Sequence, residues 1–251
     1  MITQSRLTQL IARRTRRPRP FKRPTLPNQA ERLYLGAMRN YSEVLSDVIK
    51  TELGYRLDSL DVEWRTGRAQ HQIPLDDIAF LTLKHGKKQA KRVLGLADED
   101  MTAGWLIRGW KEKNTSLITN FTDDMLARMR EILEQTRGGR VEEFADQIEG
   151  LLGTTRARAE LIARDQTLKL NAQINQEACK TAGIEWYKWS TSQDGSVRDG
   201  HAALEGQYFR FDDPPIVNEK GDRENPGEDF QCRCVPIPYV PELDTDQLPE
   251  L

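Results

Sequence analysis

The sequence is short of the residues from which chemical machinery is usually built. Three cysteines and three histidines are spread over 251 residues, and aromatic residues make up 7%. No apolar run approaches the length of a membrane span, and no secretory apolar core follows the start. The expected place of synthesis is therefore a cytoplasm, and no membrane partner is expected. Apolar residues reach only 37% against 30% charged, with a mean hydropathy of −0.68. A chain of this size normally buries a sizeable core. The polar balance fits long helices with much solvent-facing surface, or a component that completes its burial against partners.

Acidic residues are missing from the start of the chain. None occurs before Glu31, whereas Arg6, Arg13, Arg14, Arg16, Arg17, Arg19, Lys22 and Arg23 all lie within the first 24 positions. Such a segment attracts polyanions or an acidic protein surface over roughly 8 Å at physiological salt. A solvated, disordered tail satisfies the same composition. Pro18, Pro20, Pro24 and Pro27 keep residues 18–28 extended, because proline lacks the amide donor and restricts its predecessor. Residues 1–28 thus read as a basic arm, with Arg13, Arg14, Arg16, Arg17, Arg19, Lys22 and Arg23 as the candidate contacts to DNA or a partner.

Helical spacing begins at Asn28. Tyr34, Met38, Tyr41, Leu45, Val48 and Ile49 recur at three-and-four intervals, and this helix should fade near Gly54. Pro74 is placed to open another through Ile78 toward Val93, although Gly86 weakens it. Trp105 and Trp110 lie in an ambiguous apolar patch. Thr122 is the expected N-cap of the next helix, with Asp123 and Asp124 in its first turn and Gly138-Gly139 as its stop. Val141, Phe144, Ala145 and Ile148 mark a short helix. Thr154 or Thr155 would cap a third, running to about Ala182 with Ala157, Leu161, Leu168, Ala172 and Cys179 on one side. On that face Cys179 reads as a small buried hydrophobe, and Arg164-Asp165 as a surface charge pair.

After Gly183 the period changes. Strands are expected over Ile184–Thr191, Tyr208–Phe211 and Cys232–Val235, separated by Asp194-Gly195 and Asn225-Pro226-Gly227 turns. The fold class is α+β and mainly α: a helical body with a small C-terminal module of short antiparallel strands.

Cys232 and Cys234 are separated by one residue. On an extended backbone they point to one side with α-carbons roughly 6.5–7 Å apart, a spacing that suits two thiolates on one soft ion. His201 offers a nitrogen donor, and Asp194 and Asp199 lie close to it in sequence. Two cysteines, a histidine and either an aspartate or a water form a reasonable zinc shell, and a metal would stabilise strands that bury little. Small core cysteines and a hydrogen-bonded loop histidine would explain the same residues. His71 and His85 have no partner at ligand spacing.

The run Arg158-Ala159-Glu160-Leu161-Ile162-Ala163-Arg164-Asp165 followed by Asn171 resembles the helix of the phage Mu F-like head morphogenesis family. Ala182-Gly183-Ile184, Trp189, Asp194, Val197-Arg198, His201, Leu204, Gly206, Pro226-Gly227 and Cys232-Arg233-Cys234 with Pro236 follow in that family's order. Asp165-Gln166 departs from its usual Thr-Glu. The resemblance covers residues 122–240 and divides the chain into an arm (1–28), a helical region (29–120), the family domain (121–240, helices over 122–182 and the sheet over 184–237) and a tail (241–251). It implies a minor head protein of a tailed phage, in few copies per virion. Such a protein meets the portal and the major capsid protein and acts in head assembly, DNA packaging or ejection. The expected places are the virion, in the capsid interior or at the portal vertex, and the host cytoplasm during assembly.

It also makes Asp194, His201, Cys232 and Cys234 the candidate metal positions, zinc the candidate ion, and Arg198 a neighbour. The chain stops soon after the cysteine motif, which argues against a fused toxin or enzyme domain. No catalytic residue and no small-molecule substrate are expected. The competing functions are a small metal-dependent nuclease built on Asp199-Gly200-His201, and sequence-nonspecific DNA binding through the arm. A zinc deaminase is excluded, because His201-Ala202-Ala203 lacks the acid–base glutamate.

Overall fold

The computed structural model describes residues 2–15, 21–55, 59–135 and 141–243. Among them are seven α-helices and one three-stranded antiparallel sheet: α1 (Ile2–Thr15), α2 (Asn28–Tyr55), α3 (Ser59–His71), α4 (Leu75–Leu94), α5 (Gly104–Gln135), α6 (Val141–Thr181), β1 (Trp186–Ser190), α7 (Asp199–Ala203), β2 (Tyr208–Arg210) and β3 (Val235–Tyr239). The mainly helical α+β class read from the sequence is the observed one. No described helix is long and apolar enough to cross a membrane.

The chain divides into two compact units. One takes in Asn28–Ala79 and Arg108–Thr167, the other Met1–Pro27, Phe80–Ile107 and Leu168–Leu251. In the first, the six-residue face expected of α2, from Tyr34 to Ile49, is buried throughout. It packs in a core with Trp110, Ile118, Phe121 and Met125 of α5. Polar groups within that core are paired, as burial demands. The Tyr34 hydroxyl donates to Asn114 Oδ1 at 2.8 Å, Asn114 Nδ2 to the Trp110 carbonyl at 2.7 Å, and Trp110 Nε1 to the Gln166 carbonyl at 2.9 Å.

Several local expectations are corrected here. Thr122 is not an N-cap: α5 starts 18 residues earlier, at Gly104, and the Thr122 hydroxyl donates back to the Ile118 carbonyl at 2.8 Å. The apolar series Leu106, Trp110, Ile118, Phe121 and Met125 carries the helix through the ambiguous patch. Asp124 accordingly meets no helix terminus and accepts from Arg158 and Arg128. The two helices expected on either side of Thr154 are one, α6; both threonine hydroxyls donate to the Leu151 carbonyl, at 2.9 and 2.8 Å, instead of capping. Its buried stripe runs through Ala159, Ala163, Leu170, Ile174 and Ala178, so Ala157 of the expected face is exposed and Leu161 half-buried. Asp165 is buried, where it accepts from Gln166 Nε2 at 2.9 Å, while Arg164 pairs with Glu160 at 3.3 Å. The Gly138-Gly139 stop lies outside the described residues.

In the second unit Gly86 has a reason to stand inside α4. A β-carbon there would lie 2.2 Å from Ile174 Cγ2 of α6, so only glycine lets the two helices approach so closely. α6 ends at Thr181 and is closed off by Gly183, with φ of 77°: the Ile184 amide returns to the Cys179 carbonyl at 2.9 Å and the Gly183 amide to the Lys180 carbonyl at 3.0 Å. Cys179 is buried as expected, and burial pushes its thiol up to about 12. The sheet order is β2-β1-β3, with Tyr187 opposite Phe209 and Pro238, and Trp189 opposite Pro236. Pro236 and Pro238 are tolerated because β3 is an edge strand. Tyr187 and Trp189 alternate inward along β1 and are fully buried.

The basic arm is largely structured where it is described. Residues 2–15 are helical and residues 21–27 have no regular secondary structure. Arg14 donates to the Val93 carbonyl at 2.8 Å and lies over the Phe21 ring at 3.7 Å; Arg23 donates to the Thr191 carbonyl at 2.8 Å. Arg13 and Lys22 are exposed, and Arg16, Arg17 and Arg19 lie outside the described residues.

Candidate metal centre

Two chain segments bring the donors together. His201 sits on the single turn of α7. The turn's approach is fixed by Gly200, where an added β-carbon would meet the Val217 carbonyl at 2.6 Å. Cys232 and Cys234 lie in the irregular stretch that leads into β3, not within a strand as expected. Gln231, with φ of 54°, turns the chain just before them, and the Cys232 amide closes that turn on the Asp229 carbonyl at 3.1 Å. Both cysteine side chains nonetheless reach the same imidazole.

Both sulfurs stand 3.5 Å from His201 Nδ1, and the three donor atoms lie within 4.8 Å of one another. His201, Cys232 and Cys234 are exposed by 2, 4 and 5%. The Trp189 ring lies edge-on to the imidazole, with centroids 5.6 Å apart and an 81° interplanar angle. All three cysteines are free thiols.

The electrostatics of the cluster favour a cation. Cys232 is pulled down, first by its hydrogen bond with Cys234 and then by His201, against the cost of burial. Cys234 is pushed up by that same neighbour and by burial. His201 is raised, chiefly by its hydrogen bond to Cys232 and also by Asp229, while burial opposes. Two buried sulfurs beside one imidazole cannot both ionise without a compensating charge. A divalent ion would supply it, and two sulfurs with one nitrogen form a donor set that suits zinc. This His/Cys/Cys group can hold a metal ion.

Asp194, the fourth position singled out in the sequence, is not in the group. Its carboxylate accepts from Arg233 at 2.8 Å and from the Ser196 amide at 3.0 Å. The Ser196 amide first, and Arg233 as well, hold it below the usual carboxylate range. The carboxylate that does reach the cluster is Asp229, which no sequence pattern singles out: its Oδ2 lies 3.0 Å from His201 Nε2 and 2.6 Å from Arg198. Its place three residues before Cys232, in a turn, is the only signal it carries.

Gly227 closes the site from below, with φ of 90°; an added β-carbon would meet Ala172 Cβ at 2.9 Å and the Cys234 carbonyl at 3.4 Å. Gly227→Ala is expected to cost about 1–3 kcal/mol through backbone strain alone. Gly153→Ala, in open space on α6, should instead stabilise by about 0.5–1 kcal/mol. Denaturant midpoints that moved the same way for both variants would contradict this account.

Residues 129–237 match the family model described as Phage Mu protein F like protein. This segment is Phage Mu F-like. The Phage Mu F-like segment holds His201, Cys232, Cys234, Asp229 and Arg198, and the C-terminal part of α6 on which Gly227 packs. A stretch of 129 residues is 41% identical to a protein of Haemophilus influenzae described as an uncharacterized protein. It represents 51% of this chain and 28% of that relative, so the chain spans little more than a quarter of the length of the curated protein it matches. No solved structure matches the chain.

Proposed function

We propose that the chain is a minor head protein of a tailed bacteriophage. It would be present in few copies, associate with the portal and the surrounding capsid, and act in head assembly or in DNA packaging and ejection. The observation that carries this reading is the Phage Mu F-like segment, within which His201, Cys232 and Cys234 come together. In this proposal the protein is not an enzyme: His201, Cys232 and Cys234 hold one zinc ion whose work is to fasten α7 to the approach of β3. Three nearly inaccessible donors at the meeting point of two loops suit that work, since the surrounding strands are short. The exposed cations of residues 1–24 face an acidic protein surface or packaged DNA. Their intramolecular use at Arg14 and Arg23 makes the segment part of the fold as well.

Purified virions of a phage that encodes this chain should contain it at a small fraction of the major capsid protein, by quantitative mass spectrometry. Deletion of its gene should yield defective heads or non-infectious particles. A deletion phage that assembles, packages and infects normally would overturn the proposal.

One observation favours a second reading. Three protein donors leave a coordination position open, as in catalytic zinc sites. A metal-dependent nuclease would then nick DNA as the purified protein and lose that activity in His201→Ala. Absence of nicking in the zinc-loaded wild type removes this alternative.

A further inference from the structure

Imidazole can offer either nitrogen to a metal, and the choice is made by what the other nitrogen meets. In this protein the two nitrogens of His201 face opposite surroundings. Nδ1 points at two sulfurs, each 3.5 Å away, while Nε2 lies 3.0 Å from a carboxylate oxygen of Asp229. A carboxylate is an acceptor only, so Nε2 carries a proton, and in the neutral imidazole that a metal requires Nδ1 keeps the free lone pair.

Asp229 is itself held in place. The same Oδ2 accepts from Arg198 at 2.6 Å, and Oδ1 accepts from the Phe230 amide at 2.6 Å. Arg198 also donates to the Phe230 carbonyl. The guanidinium thus grips both the carboxylate and the backbone beyond it, and it enters from the residue preceding α7, three positions before His201. Arg198, Asp229 and His201 form a continuous chain from the surface, where Arg198 is 47% exposed, to the enclosed sulfurs. Asp213 and Arg223 form an exposed pair 2.8 Å apart that touches none of these groups.

We infer that Asp229, gripped by Arg198, is a positioning residue of the metal centre. It fixes His201 as the Nε2-protonated tautomer and so dedicates Nδ1 to the ion. This rests on the zinc reading above, and it adds a supporting layer that neither the Cys-x-Cys spacing nor the family match contains. Outer carboxylates of this kind typically change metal affinity roughly 10–100-fold when removed.

The full-length chain is titrated with Zn²⁺ against a chromophoric chelator, and with Co²⁺ followed by its thiolate charge-transfer band. Wild type, Asp229→Ala, Asp229→Asn and the surface control Asp213→Ala are compared. The expected result is one ion per chain in all four, with an unchanged thiolate band. Affinity should fall roughly 10–100-fold in Asp229→Ala and by less in Asp229→Asn, which keeps an acceptor oxygen but not the charge. Asp213→Ala should match wild type.

Two-bond ¹H–¹⁵N correlation spectra of the zinc-loaded wild type should show His201 protonated at Nε2, a readout that needs no variant. A proton on Nδ1, or equal affinities in wild type and both Asp229 variants, would overturn the inference while leaving the zinc reading intact. Failure of wild type to bind either ion would overturn both. If Asp229→Ala does not fold, Asp229→Asn and the tautomer measurement decide.

Discussion

If His201, Cys232 and Cys234 hold zinc as proposed, stripping it with a strong chelator should lower the melting temperature by at least about 10 °C and release the C-terminal module first. Binding of one zinc ion contributes about 10–16 kcal/mol in small zinc-dependent peptides, as much as the whole stability of an ordinary domain, about 5–15 kcal/mol. Even a third of that amount would be felt, because each 1 kcal/mol moves the melting point of a chain this size by about 2–4 °C. Without the ion, two buried sulfurs and an imidazole face one another uncompensated, and the link from α7 to Cys232 is reduced to hydrogen bonds. Hydrogen exchange should accelerate over residues 197–203 and 227–235 before it does in α2. Cys234→Ser should reproduce the effect with the chelator absent. Identical melting curves for loaded and stripped protein would remove the structural role assigned to the ion.

The second large effect is expected from Trp189→Ala, at about 3–5 kcal/mol. Trp189 is fully buried on the central strand, lies edge-on to Phe209 at 6.3 Å and to His201 at 5.6 Å, and stands opposite Pro236 across the sheet. Its removal leaves a void that the sheet cannot close, since the strands on either side are only three and five residues long. Trp105→Ala, at a side chain 58% exposed, should change stability by no more than about 0.5 kcal/mol. Denaturation curves that placed the two variants together would show that the aromatic wall around the cluster carries no weight.

Much of this architecture was readable from spacing, and the exceptions have physical causes. The α2 face was legible because one pattern of apolar residues persists over four turns. His201, Cys232 and Cys234 were legible because few other residue types bind soft ions. Thr122, Thr154 and Thr155 misled because the same hydroxyl that caps a helix start also bonds back to the preceding turn from within one. On the face expected of α6, Leu168, Ala172 and Cys179 are buried, but its start was misjudged because alanine marks a buried face as poorly as an exposed one, and Ala159 and Ala163, not Ala157, turned inward. Asp194 drew attention through nearness in sequence to His201, whereas the space beside the imidazole is filled from 28 residues away by Asp229. A carboxylate in a turn has no periodicity, and only the folded chain reveals what it touches.

The unit that carries the metal cluster is drawn from three separated stretches of chain. Arg6 finds its partner Asp100 only 94 residues later, and Arg23 reaches a carbonyl 168 residues away. A ribosome adding about 5–20 residues per second needs roughly 10–30 s to span the longer gap. During that interval Arg6 and Arg23 wait without their partners, in a stretch of sequence that is cationic and acid-free. An ion held as proposed could be captured only after Cys234 has emerged. Completion of this unit therefore waits on its most distant contact and not on its helices.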